Sequence, residues 1–234
     1  MTILDPEQKW QGTASKPGYK DQITRLGVIA ESFVEGKIIG SPSVQGVIGY
    51  GFCHIISTHE QILDHQIYKG CRFPASAIYR STLIESGARV GNFLAKKGVT
   101  GHFSVDFVVV ETPCIESSTK TQLECYALEI NLRQGGTTHP FAILQLLTGG
   151  KTQTDGSFLT ASGEERLYTA TDTFYAPNLL GMTESTFLNA VIHFNEGFTW
   201  NQSTLRGVVI HMVKSITNCG ISKFKTCAFC IISM

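Results

Sequence analysis

Polar and apolar residues alternate with a period of two over two neighbouring stretches, Phe103 to Glu111 and Leu123 to Arg133. This alternation predicts half-buried β-strands, and the Pro-, Ser- and Thr-bearing segment between them predicts a turn. Upstream, regular structure is expected to begin at Gly27-Val28-Ile29-Ala30, with Ser32 to Ile39 reading as a strand and turn. Val44 to Ser57 is rich in β-formers, and Gly46, Gly49 and Gly51 suit bent antiparallel strands. Ser76 to Lys97 is the clearest helix. Leu83, Val90 and Leu94 share a face there, with Phe93 beside them, and Lys96-Lys97-Gly98 supplies a stop. Beyond Gly149-Gly150 a polar stretch, Lys151 to Glu165, precedes a second helix over Thr183 to Asn195. Gly207 to Ser215 reads as a strand or a short helix. Met1 to Gln22 has no period, and Lys223 to Met234 fit no surrounding pattern.

Composition narrows the classes. The chain has 234 residues, 42% of them apolar, which excludes a disordered chain. Only 16% are charged, against about 25% in a typical soluble domain. Some of the surface is therefore expected to be covered by a partner or by a further piece of chain. Nineteen basic residues balance nineteen acidic ones, so no global field recruits nucleic acid or anionic lipid. No stretch reaches a membrane-spanning length, and the first twelve residues lack a signal-type apolar core. Seven cysteines, an odd number without a signal, read as reduced thiols in a cytoplasmic setting.

The chemistry concentrates on the two alternating strands. Cys125, Ala127, Glu129, Asn131 and Arg133 are expected on one face of the second, and Ser104 and Asp106 on one face of the first. A hairpin turning symmetrically about Ser117-Ser118 would set Asp106 opposite Glu129. Opposed carboxylates repel, which a sequence tolerates where they share a proton or a cation. With the Asn131 carbonyl they make an all-oxygen set that suits Mg²⁺ and is poor for Zn²⁺. The loop Gly135-Gly136-Thr137-Thr138-His139 offers backbone N–H groups and hydroxyls to an anion. Acids beside Arg133 and such a loop describe a nucleotide-phosphate site. On spacing alone, the same residues also fit the solvent face of an exposed strand.

Glu129-Ile130-Asn131-Leu132-Arg133, with Asp106 in Gly101-His102-Phe103-Ser104-Val105-Asp106-Phe107, resembles the large lobe of the ATP-grasp ligases. The resemblance implies an α+β fold, a mainly antiparallel sheet backed by helices, with a small C-terminal module. It makes Asp106, Glu129 and Asn131 the ligands of Mg²⁺ ions that bridge ATP phosphates. Arg133 becomes the catalytic residue assisting the phosphoryl or acyl-phosphate group, with Thr137 on the phosphates. Glu31-Ser32-Phe33-Val34-Glu35-Gly36 resembles the hinge, where Glu31 and the backbone of Phe33 and Val34 would hold the adenine. Ser41-Pro42-Ser43-Val44-Gln45, Ser57-Thr58-His59-Glu60-Gln61 and Gly135 to Pro140 are similar to the branch containing pheganomycin-type peptide ligases and the IQ-motif-containing protein H.

The implied reaction is ATP-dependent carboxylate–amine ligation through an acyl-phosphate, with a carboxylate and an amine or peptide as substrates. The alternative is a non-catalytic nucleotide-binding or interaction module on the same fold. The small lobe that carries phosphate-binding lysines in such ligases is expected to be missing, because Lys16-Pro17-Gly18 lies too close to Glu31. An incomplete, inactive chain is the expectation that follows. The expected organisation is an irregular remnant over 1–26, the large lobe over 27–150, an extension over 151–222 and an atypical tail over 223–234. Cys227 and Cys230 have C-x-x-C spacing without a second pair, which is weak support for zinc. His139 is kept as a possible substrate contact, and His54, His59 and His102 as ordinary surface or core residues.

Overall fold

Each alternating stretch folds as a long strand, and the two pair antiparallel: β5, Gly101–Cys114, and β6, Ser117–Asn131. The computed structural model describes residues 24, 25, 27, 32–65, 67–114, 117–171, 182–193, 200–211 and 227–232. The chain divides into two units, Met1–Glu35 and Gly36–Met234. In the first, residues 32–35 have no regular structure, and residues 28–31 lie outside the described set.

In the second unit, β1 (Lys37–Gly40), β2 (Pro42–Gly49), β3 (Phe52–Asp64) and β4 (Ile67–Phe73) precede the helix α1, Arg80–Lys96. After β6 come α2 (Thr138–Thr148), the two-residue strands β7 (Lys151–Thr152) and β8 (Phe158–Leu159), and β9 (Leu167–Thr171). The last elements are α3 (Glu184–His193), β10 (Gly207–His211) and β11 (Cys227–Ile232). Among the described residues nine strands form one antiparallel sheet in the order β1-β5-β2-β3-β4-β9-β11-β10, with β6 on the other edge of β5. None of the described helices is long and apolar enough to cross a membrane.

Local chemistry accounts for these elements. β2 and β3 are joined through Tyr50 and Gly51, both at positive φ (51° and 79°), the mirror-image turn that matches strand twist. α1 ends as expected, with Lys97 at the C-cap and Gly98 at φ 81°. It seats on the sheet through its glycines. A Cβ at Gly91 would stand 2.2 Å from Cys53 Sγ and 2.6 Å from Phe103 Cζ, so only glycine permits this approach. Leu83 of α1 joins Val44, Ile48, Phe103, Val105 and Phe107 in one core cluster. A second cluster gathers Cys71, Phe73, Phe141, Leu144, Phe158 and Tyr168 around α2.

Two expectations change. β6 carries an extra residue at Leu128, because Asp106 pairs with Glu129 while Phe107 pairs with Ala127. This bulge reverses the alternation, so Cys125 and Ala127 do not share a face with Glu129 and Asn131. They line a groove against Val90 and Phe93 of α1, whereas Leu128 and Glu129 face the opposite side of the sheet. The chain also reverses between Cys114 and Ser117, which pair with each other, rather than at Ser117-Ser118. A second irregularity, between Pro113 and Cys114, and the bulge at Leu128 together restore the register that sets Asp106 opposite Glu129. The other change is at the C-terminus: part of the segment without pattern forms β11, hydrogen-bonded to β9 on one side and β10 on the other.

Candidate nucleotide and metal site

Strand register builds the site. Glu129, Asp106, Ser43 and His59 stand in one row across β6, β5, β2 and β3. Asn131, Ser104, Gln45 and Ser57 stand in the next row. Residues two apart along a strand share a face, so eight polar side chains occupy one patch. Core residues Phe103, Val105 and Phe107 alternate with them on the face covered by α1.

The patch floors a cleft of about 540 Å³. Asp106, Glu129, Asn131 and Arg133 line it together with the Gly135-Gly136-Thr137 loop, and Leu63, Tyr68 and Leu128 add apolar wall. The loop leads directly into α2, with Thr137, 5% exposed, at the N-cap. Its turn is held by Gly135 N donating to Thr138 Oγ1 at 3.0 Å and Thr138 N donating to Gly135 O at 3.1 Å. Gly136 packs on Tyr68, where a Cβ would meet ring carbon Cε1 at 3.0 Å. Backbone N–H groups at a helix N-terminus, next to the Arg133 guanidinium, favour an anion at this end of the cleft.

Asp106 is held by several donors. Ser43 Oγ donates to Asp106 Oδ1 at 2.6 Å, and Asn131 Nδ2 approaches Oδ2 at 3.5 Å. Burial pushes the Asp106 carboxyl above its ordinary pKa. The Ser43 hydroxyl opposes that rise, the Glu129 charge adds to it, and Gln61 and Arg133 oppose it. A half-buried carboxylate facing a second one is a place where a cation relieves repulsion.

Among the described residues no three His, Cys, Asp or Glu side chains cluster as a metal site. The set here is instead two carboxylates and an amide. These oxygen donors fit a hard cation such as Mg²⁺, which takes one or two carboxylates and keeps other positions for water and phosphate.

Of the remaining sequence-predicted residues, Glu31 lies outside the described set. Phe33 and Val34 belong to the first unit, and the Phe33 side chain is 83% exposed. His139 is exposed in the first turn of α2 and is not among the residues lining the cleft. The reading from sequence left Ser43, Gln45, His59 and Gln61 without a role. Their signal was partial, since polar residues recur with period two in Ser41 to Gln45, whereas Ser57 to Gln61 is polar at every position. His59 is fully buried and its rings of contact are Phe73, Phe141 and Tyr168, at centroid distances of 5.2, 6.2 and 5.8 Å. Burial lowers its pKa to about 3, so the imidazole is neutral.

The IQCH-like ATP-grasp family matches this chain over residues 19–155, which include the paired acids and the glycine-rich start of α2. The chain belongs to that family. It is 31% identical over 204 residues to L-propargylglycine--L-glutamate ligase of Streptantibioticus cattleyicolor, a match covering 86% of this chain and 39% of the ligase. The chain thus spans well under half the length of that relative. Solved structures similar to it include the phosphoribosylaminoimidazole carboxylase ATPase subunit of Aquifex aeolicus, at TM-score 0.49 and 12% identity over 87% of this chain and 55% of that one. Another is N5-carboxyaminoimidazole synthetase of Staphylococcus aureus complexed with ADP, at TM-score 0.47 and 14% identity over 86% and 47%.

Proposed function

We propose that this chain binds Mg²⁺–ATP and serves a cytoplasmic carboxylate–amine ligase reaction that proceeds through an acyl-phosphate. The observation that carries the reading is the cross-strand pair Asp106 and Glu129, with Asn131 beside them, in a cleft closed by Gly135-Gly136-Thr137. A relative whose name is that of an amino-acid ligase supports the reaction class.

In this reading a carboxylate oxygen of one substrate attacks the γ-phosphorus of ATP, and ADP leaves. The amine of the second substrate then attacks the acyl carbon, and phosphate leaves. Asp106, Glu129 and Asn131 hold the magnesium, which when bound offsets charge on the phosphate oxygens. Arg133 and the N–H groups leading into α2, with Thr137, hold the transferring group in line.

Calorimetric titration with ADP in the presence and absence of Mg²⁺ tests the assignment. Saturable binding that EDTA removes, and that Glu129→Gln loses, is the expected result. Nucleotide binding of equal strength in Glu129→Gln would overturn it.

A further inference from the structure

The polar row does not end at Asp106. It continues as a chain of short hydrogen bonds into the aromatic cluster at α2. Ser43 Oγ lies 2.6 Å from Asp106 Oδ1, Gln45 Nε2 lies 2.8 Å from Ser43 Oγ, and Gln45 Oε1 lies 2.5 Å from His59 Nδ1. His59 Nε2 lies 2.6 Å from the Tyr168 hydroxyl. Ser43, Gln45, His59 and Tyr168 are each at most 7% exposed, so the links among these four are shielded from water.

The direction of every bond follows from the charge at one end. Ionised Asp106 only accepts, so the Ser43 hydroxyl must donate to it. The Ser43 oxygen then accepts from the Gln45 amide N–H, which turns the Gln45 carbonyl toward His59. His59 therefore donates from Nδ1, and its bare Nε2 accepts from Tyr168. Of the two neutral tautomers, only the one with its proton on Nδ1 satisfies all four links. The surrounding Phe73 and Phe141 rings favour that neutral form.

We propose that His59 is a positioning residue for the metal site, acting through Gln45 and Ser43 to fix the Asp106 carboxylate. The proposal rests on the metal reading of Asp106 and Glu129. Repulsion between those two carboxylates tends to turn Asp106 away. The Ser43 hydrogen bond anchors Oδ1, leaving Oδ2 on the Asn131 side of the group. Rotation of the Gln45 amide would present its oxygen to Ser43 and compete for the hydroxyl proton. The Ser57 hydroxyl, donating to Gln45 Oε1 at 3.3 Å, opposes this more weakly than the 2.5 Å bond from His59. His59, held by β3 and the aromatic cluster, blocks that rotation. Groups that orient metal ligands in this way typically matter by about 10–100-fold in metal affinity.

The test uses the full chain with Mn²⁺ and ADP, free Mn²⁺ being read by electron paramagnetic resonance. Ser43→Ala and His59→Leu are each expected to weaken Mn²⁺ by about 10–100-fold. His59→Asn, which can place an amide N–H where Nδ1 stood, should recover most of the loss. In the Ser43→Ala background His59→Leu should add little further, because the two act along one path; independent effects would multiply. A merely structural role for His59 predicts multiplication and no rescue, and either result overturns the proposal. Should His59→Leu fail to fold, Gln45→Met takes its place in the cycle with the same expectations. Glu129→Gln is the control. Loss of Mn²⁺ there with unchanged affinity in Ser43→Ala and His59→Leu would sink the positioning role and leave the metal site standing. No Mn²⁺ binding by the parent chain would sink both.

Discussion

Asp106 and Glu129 are direct cross-strand partners, two carboxylates set face to face on β5 and β6. Such a pair costs stability in the absence of a cation, and burial of Asp106 adds to the cost. Asp106→Asn should therefore raise the thermal midpoint of the metal-free chain while removing Mg²⁺-dependent nucleotide binding. The new amide still accepts from Ser43 through its oxygen, and its nitrogen takes the Oδ2 position beside Asn131, whose amide can turn to present its own oxygen. Removing one opposed like-charge pair is worth up to about 1 kcal/mol, or roughly 2–4 °C for a chain of this size. Differential scanning calorimetry without metal checks the first half, and titration with Mg²⁺–ADP the second. An Asp106→Asn chain that melts lower would contradict it.

His59 gives the fold a pH dependence whose sign is fixed. Its pKa is about 3 in the folded chain, against the ordinary value of 6.5 that it regains on unfolding. Between those values the unfolded chain binds the proton and the folded one does not, so stability rises with pH across this window. It is lost progressively as pH falls below about 6.5, and below about 3 no more is lost from this source. The ring is held between the Gln45 amide and the Tyr168 hydroxyl, neither of which carries a formal charge in these hydrogen bonds. Urea unfolding from pH 7 to pH 4 should show the dependence, and His59→Asn should flatten it. An unchanged slope in that variant would assign the acid sensitivity to other groups.

Strand β5 and the main helix were legible because period-two alternation survives in β5, and α1 keeps its apolar spacing and its Lys-Gly stop. The pairing of Asp106 with Glu129 was expected from a turn at Ser117-Ser118 and holds because the displaced turn and the two strand irregularities offset each other. The bulge at Leu128 was not legible. An extra residue in a strand leaves no mark on hydrophobicity when the bulged position is itself apolar. The site beyond the acids was half visible. Ser43, Gln45 and His59 recur at alternate positions, but only the register of β2 between β3 and β5 shows that they converge on Asp106. His59 reads as an ordinary core histidine until its neighbours across three strands are known. β11 escaped notice because its partners, β9 and β10, are five-residue strands, and β9 lies more than fifty residues before it in the chain.

Gly91 of α1 should resist even the smallest substitution. Alanine favours helix over glycine by roughly 1 kcal/mol, so on propensity alone Gly91→Ala stabilises. Here its Cβ would fall 2.2 Å from Cys53 Sγ and 2.6 Å from the Phe103 ring, both on the sheet beneath. The helix must lift or Phe103 must leave its position, at a cost of about 1–3 kcal/mol. The steric term wins. The expected result is a net loss of midpoint in Gly91→Ala, and a double variant with Phe103→Leu should recover part of it. A stabilised Gly91→Ala would show that α1 sits higher on the sheet than described.

Removing residues 223–234 should destabilise the C-terminal side of the sheet, although nothing in their sequence marks them as structural. β10 joins the sheet solely through β11 among the described strands, and β9 has β11 on one side and β4 on the other. Deletion therefore detaches β10 and exposes one edge of β9. It also loosens residues 200–206, whose backbone carbonyls at Thr204 and Leu205 accept from the buried Arg166 at 3.0 and 3.1 Å. Each ladder hydrogen bond lost costs on the order of 0.5–1.5 kcal/mol net, so five-residue pairings on both sides of β11 amount to several kcal/mol. Amides of Gly207 to His211 should exchange at near-unprotected rates in the truncated chain, and those of Leu167 to Thr171 should lose protection. Val44, Phe103 and Val105 sit in the other core cluster, and their amides should keep their protection. Unchanged exchange at Gly207 to His211 after truncation would show that β11 contributes no pairing in solution.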